Sequence, residues 1–127
     1  MGSSMDKAAE LYKTLIDELL KISEHSVEAD NVRKGRVPAA DSEKINRVPA
    51  KLSSADREVL AAFVAEEYVS GIFDVLDLLE WYTCCRDMKI SVDGEILPTG
   101  KFEGMQNDFI GRRGGWKFPD DRPKNNR

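Results

Sequence analysis

Apolar residues recur at helical spacing along most of this chain and switch to strand-like alternation once, between Met88 and Gly100. A period near 3.6, interrupted by a single short period of 2, restricts the fold to helices with one hairpin. From Asp6 to Glu24 the apolar positions are Ala8, Leu11, Leu15, Leu19 and Ile22, with Lys7, Glu10, Thr14, Asp17 and Lys21 opposite. This predicts an amphipathic helix with one buried stripe. From Ser54 to Ser70, Val59, Leu60, Phe63 and Val64 form one apolar face, and Ala61, Ala62, Ala65 and Val69 a second. A helix apolar on two faces is expected at the centre of the fold. Ser53 is its expected N-cap, with Asp56 three residues on. Gly71 is expected to weaken it, and Ser70 to start a further helix. That helix has Ile72, Val75, Leu78, Leu79 and Tyr82 inward and Asp74, Asp77, Glu80 and Trp81 outward.

The change of period falls in "MKISVDGEILPTG", where Ile90, Val92 and Ile96 flank Asp93-Gly94, a pair favoured in two-residue hairpin turns. "KFEGMQNDFIGRR" predicts a last short helix burying Phe102, Met105 and Phe109, broken by Gly114-Gly115. The remainder reads as an extended tail ending in disorder. "EHSVEADNVRKGRVP" loses the helical period, and "AADSEKIN" holds about two turns of helix. Arg-Val-Pro-Ala occurs twice, at Arg36–Ala39 and Arg47–Ala50. Proline disfavours helical geometry in the residue before it, so each copy is expected to be a joint between elements. Two copies are too few for a stacked repeat. The expected fold is mainly α, a compact bundle of four to five helices with one short β-hairpin near residues 89–97. Residues 1–4 read as a remnant of an expression tag, 5–119 as a single helical domain, and 120–127 as a flexible tail.

With 127 residues, 41% hydrophobic and 33% charged, the chain can bury a real core. No apolar run approaches the length needed to span a bilayer. From Gly111 onward six Lys/Arg oppose two Asp, a balance of +4, which leaves −8 on the residues before it in a chain of net charge −4. A basic segment bearing Trp116 and Phe118 suits an acidic helical face. The stretch from Arg112 to Pro119 is therefore expected to dock on the Asp74–Asp77–Glu80 line of its own chain or of a second copy. Cys84 and Cys85 are neighbours, too close in sequence to bond to each other in ordinary disulfide geometry, and are expected to be reduced.

Catalytic signals are sparse. His25 is the one histidine, so a Cys–His pair would have to unite it with Cys84 or Cys85, and zinc-ligand spacings are absent. Asp74, Asp77 and Glu80, at intervals of three, resemble the magnesium-binding lines of some helical nucleotide pyrophosphatases, although the wheel turns them to solvent. Glu67 and Arg113 each lie on an otherwise apolar face. A buried carboxylate needs a cation or donors, so these two are expected to form a buried ion pair within a polar cluster of Glu67, Asp74, Asp108, Arg112 and Arg113. Asp108 and Arg112, four apart, make a local surface pair. Trp81, Asp77, Glu80, Trp116 and Phe118 are the expected contact surface.

"REVLAAFVAEEYVSGIFDVL", "DGEILP" and "DFIGRRGGWKFP" resemble a family of small uncharacterised bacterial proteins. Its pattern joins Gly-Ile-His-Asp-Val-Leu, Gly-x-x-Leu-Pro and Phe-Val-x-Arg-Arg-x-Gly-x-x-Trp-Pro. The resemblance covers Arg57 to Pro119 and aligns Glu67, Gly71, Asp74, Asp108, Arg112 and Arg113 with the polar and glycine positions. Phe73 stands where the pattern has histidine. The resemblance implies a bacterial source and a shared fold, and no activity. The expected function is a non-catalytic cytoplasmic binding or accessory protein of immunity or regulatory type. Its partner would be a protein, a second copy of the chain included, with no cofactor, metal or membrane association. The alternatives are a metal-dependent hydrolase using Glu67, Asp74 and Asp108, and a single-strand nucleic-acid contact through the basic, aromatic tail.

Overall fold

The computed structural model describes residues 4–36, 42–98 and 102–121. These hold five α-helices, one antiparallel hairpin and a closing 3₁₀ turn, a mainly α fold. The helices are α1 (Ser4–Ser23), α2 (Val27–Lys34), α3 (Ser42–Lys51), α4 (Ser54–Cys85) and α5 (Met105–Arg113). The hairpin strands are β1 (Ser91–Val92) and β2 (Glu95–Ile96), and the 3₁₀ turn is Pro119–Asp121. By contacts the chain divides into two units, one formed by Met1–Lys21 with Ile72–Arg127 and the other by Ile22–Gly71.

In the Ile22–Gly71 unit, α2 forms where the sequence loses its period. Local signals suffice for it. Ser26 accepts from the amide of Ala29, Glu28 and Asp30 occupy the first turn, and Arg33 and Lys34 the last. Gly35 closes the helix in the left-handed conformation at φ 81°. A Cβ there would also lie 2.6 Å from the guanidinium carbon of Arg57. Ala29 and Val32, three apart, bury against Ala61, with Leu60, Val64 and Ala65 packed around them. The first Arg-Val-Pro-Ala copy lies largely outside the described residues. The second lies inside the last turn of α3, which corrects the expected joint at that point. Pro49 sits just before the helix ends, and its carbonyl accepts from both the Leu52 amide and Arg57 Nε. The bend into α4 thus follows Pro49 by a turn.

α4 runs unbroken for 32 residues, so Gly71 neither ends it nor starts another helix. One glycine costs a helix about 1 kcal/mol, which the strong helix formers on both sides outweigh. Ser53 does cap it, accepting from the Asp56 amide at 3.1 Å. The expected inner faces are corrected as well. Val59 and Phe63 are 72% and 64% exposed, whereas Ala61 and Val69 are buried. The small Ala61 packs directly against Ala29 and Val32 of α2.

In the other unit the core consists of Ala8, Ala9, Tyr12 and Ile16 of α1, Leu76 of α4, Leu97, Met105, Phe109 and Phe118. The buried stripe of α1 therefore runs through Tyr12 and Ile16. The hairpin pairs Ser91 with Ile96 and Val92 with Glu95. Asp93 and Gly94 both have positive φ, 51° and 79°, the geometry of a primed turn. Residues 116–121 do not trail off. Phe118 is buried and Pro119–Asp121 forms its 3₁₀ turn; residues 122–127, the rest of the expected tail, lie outside the described residues.

Candidate functional site

Two features of the unit that holds α5 bear on function: a polar network under Phe118, and an outward apolar face on α4.

The network begins at α5. Its N-cap is Gly104, which has no side chain with which to satisfy the exposed amides. Glu80 of α4 does this instead, its carboxylate accepting from the Met105 amide at 3.2 Å. A carboxylate at a helix start also complements the positive end of the dipole. One turn earlier on α4, Asp77 accepts from Gln106 Nε2 at 3.2 Å. Two of the three acids read as a solvated or metal-binding line thus hold the start of α5.

Asp108 is buried, which corrects the expected surface pair with Arg112. It accepts a 2.6 Å hydrogen bond from the buried hydroxyl of Tyr12. Burial, then the Asp108 hydrogen bond and charge, hold the Tyr12 phenol far above its ordinary titration range. The Tyr12 ring stacks on Phe102 at 4.7 Å, and Phe102 meets Phe118 edge-on at 6.1 Å. Arg112 instead bonds Asp17 through Nε at 2.9 Å, donates to the Trp116 carbonyl and lies 4.9 Å over the Phe118 ring. Lys13 flanks the same ring at 5.8 Å and pairs with Asp120 and Asp121. Burial acts against the Lys13 charge, but the hydrogen bonds to Asp120 and Asp121 outweigh it and raise its pKa. Thr14, Asp17, Lys117 and these cations border a groove of about 370 Å³. The segment from Arg112 to Pro119 is ordered. It contacts α1 through the Arg112–Asp17 pair and through Lys13 over the Phe118 ring.

The rest of the expected cluster is not buried. Glu67, Asp74 and Arg113 are exposed, so the buried Glu67–Arg113 pair is corrected. Both charges keep their hydration because helical faces that look apolar in sequence turn outward here. Glu67 lies beside His25, Ser26, Val27, Val64 and Tyr68 on a groove of about 400 Å³ in the Ile22–Gly71 unit. Among the described residues no group of three or more His, Cys, Asp or Glu side chains is placed to hold a metal ion. Cys84 and Cys85 are free and exposed. A hydrogen bond from the Cys85 thiol to Cys84 raises the Cys85 pKa, which disfavours a reactive thiolate.

The expected contact surface divides. Phe118 is buried, and Asp77 and Glu80 hold α5, whereas Trp81 and Trp116 stand 48% and 63% exposed. The inward stripe expected for Val75, Leu78 and Tyr82 is corrected, since these side chains are exposed beside Trp81. Trp81 meets Tyr82 edge-on at 5.2 Å and carries the Arg86 guanidinium over its ring at 6.0 Å. Sequence reasoning missed Tyr12 and Asp17. The signal for Tyr12 was its place between Ala8 and Ile16, at intervals of four.

The chain belongs to a family of unknown function, DUF6547, whose profile matches residues 5–120. No curated protein matches it, and no solved structure does.

Proposed function

We propose that this is a non-catalytic binding or accessory protein of the bacterial cytoplasm, acting through the outward face of the C-terminal half of α4. The observation that carries this reading is the exposure of Val75, Leu78, Trp81 and Tyr82 on consecutive turns of one helix. Four large apolar side chains side by side in water form the kind of patch that partner surfaces cover. An aromatic pair with an arginine over it is also the composition favoured at interface centres. Two acids of the same helix segment serve structure, since Asp77 and Glu80 hold α5. No described helix is long and apolar enough to cross a membrane, which is compatible with the cytoplasmic setting.

The test is chemical cross-linking in extract of the source cell, comparing the wild-type protein with Leu78→Glu. The reading expects a defined cross-linked species that the substitution removes. Identical products from both proteins would contradict it.

A further inference from the structure

We infer that the groove beside His25 in the Ile22–Gly71 unit is a further docking site, and that it takes a lysine or arginine set among apolar residues on another protein. It uses none of the α4 residues that carry the binding reading above and does not depend on them. Ala29 and Val32 bury against Ala61, which lays α2 along α4 and leaves Val27 outward beside Val64 and Tyr68. These three side chains are the apolar wall of a groove of about 400 Å³. That volume suits one or two side chains, at the lower end of ordinary ligand pockets. Val27 is 68% exposed and Tyr68 37%, so the wall stands in water.

Charge selects the occupant. Glu28 and Glu67 border the groove, both are exposed, and neither makes an ion pair with a described residue. Residues 22–29 and 59–71, which supply the lining, hold four glutamates, one histidine and no lysine or arginine. The start of α2 contributes about half a positive charge, which the two carboxylates outweigh. The groove therefore repels phosphates and acidic peptides and favours a cation. A small ammonium ion meets the carboxylates but leaves the apolar wall uncovered. The stem of a lysine or arginine covers that wall while its charged head reaches Glu28 and Glu67. An arginine can also lie over the Tyr68 ring. Apolar neighbours on the same segment then cover Val27, which a lone cation does not.

The test is an amide NMR titration of the isotope-labelled full chain, run above the ordinary titration range of an imidazole so that His25 adds no cation of its own. The probe is the peptide acetyl-Leu-Lys-Leu-Arg-Leu-amide. Beside it run the same peptide with glutamate at both charged positions, the same peptide with glycine for each leucine, and butylammonium chloride. The inference expects saturable shifts at Val27, Glu28, Val64 and Tyr68 with the first peptide, and much weaker binding of the other three. Glu28→Gln and Glu67→Gln should each weaken the first peptide by about two- to fivefold, the worth of an exposed ion pair. Val27→Ser should weaken it too, and Leu78→Glu should leave it unchanged. The spectrum of each variant shows whether it is folded. Equal binding of the glutamate peptide would remove charge as the selector, and equal binding of the glycine peptide or of butylammonium would remove the protein segment; either overturns the inference. No saturable shift at these four residues, or affinities unchanged in both glutamine variants, overturns it as well. Loss of binding in Leu78→Glu would place the peptide on the other α4 face and overturn it while leaving the binding reading in place.

Discussion

The hydroxyl of Tyr12 donates to the carboxylate of Asp108 at 2.6 Å, both residues buried and 96 positions apart in sequence. Together with the Arg112–Asp17 pair, this bond fastens α5 to α1. Hydrogen bonds to a charged acceptor contribute about 1.5–3 kcal/mol, so Tyr12→Phe should lower stability by about that amount. Chemical denaturation of the two proteins checks it, and equal midpoints would show the bond to be dispensable.

The same phenol gives the protein an alkaline limit. Folded Tyr12 keeps its proton to higher pH than the unfolded chain, where a tyrosine titrates near 10. Stability from this group is therefore complete below about pH 10 and falls above it, by up to about 1.4 kcal/mol per pH unit. The raised Lys13 pKa acts in the same direction and window. Tyr12→Phe should flatten the decline between about pH 9 and 11 relative to wild type, leaving the Lys13 part. Parallel slopes would remove Tyr12 as the cause.

Glu80 stands in for the missing cap of Gly104. Loss of an N-cap acceptor costs about 1 kcal/mol, so Glu80→Ala should lower the melting temperature by a few degrees. Glu80→Gln, which keeps an acceptor oxygen, should recover part of the loss. Full stability in Glu80→Ala would mean that water serves the Met105 amide equally well.

At Gly94, φ is 79° and an added Cβ meets no neighbour, so only backbone strain opposes substitution. Gly94→Ala should cost about 1 kcal/mol. Gly71 is the counterpart: helical, open to solvent and free of clashes. Gly71→Ala should stabilise α4 by roughly 0.5–1 kcal/mol. Denaturation midpoints of the two variants check this, and opposite signs from two exposed glycines would confirm that conformation, and not space, governs both.

The hairpin, the cap at Ser53 and the last helix were legible in the sequence because each rests on local chemistry. Asp93-Gly94 specifies its turn wherever it sits, and Gly114-Gly115 ends α5 as its composition demands. Orientation was less legible. Val59, Phe63, Val75 and Leu78 carry the apolar area that ordinarily marks a core, yet they face water, while Ala61 and Val69 face inward. Which face is buried depends on where the neighbouring elements lie, and spacing within one helix does not contain that. Asp108 is the converse, a charge that reads as surface until Tyr12 arrives from the other end of the chain. α2 was legible and overlooked, since Ser26, its charged ends and Gly35 spell out a helix that hydrophobic periodicity alone misses.

The emission of Trp81 tests the central claim most directly. Trp116→Phe leaves Trp81 as the sole indole, next to Val75, Leu78 and Tyr82 on the outward face of α4. If this face stands outward as a free binding surface, the indole should emit at long wavelength and acrylamide should quench it freely. Short-wavelength emission that acrylamide does not reach would contradict the account.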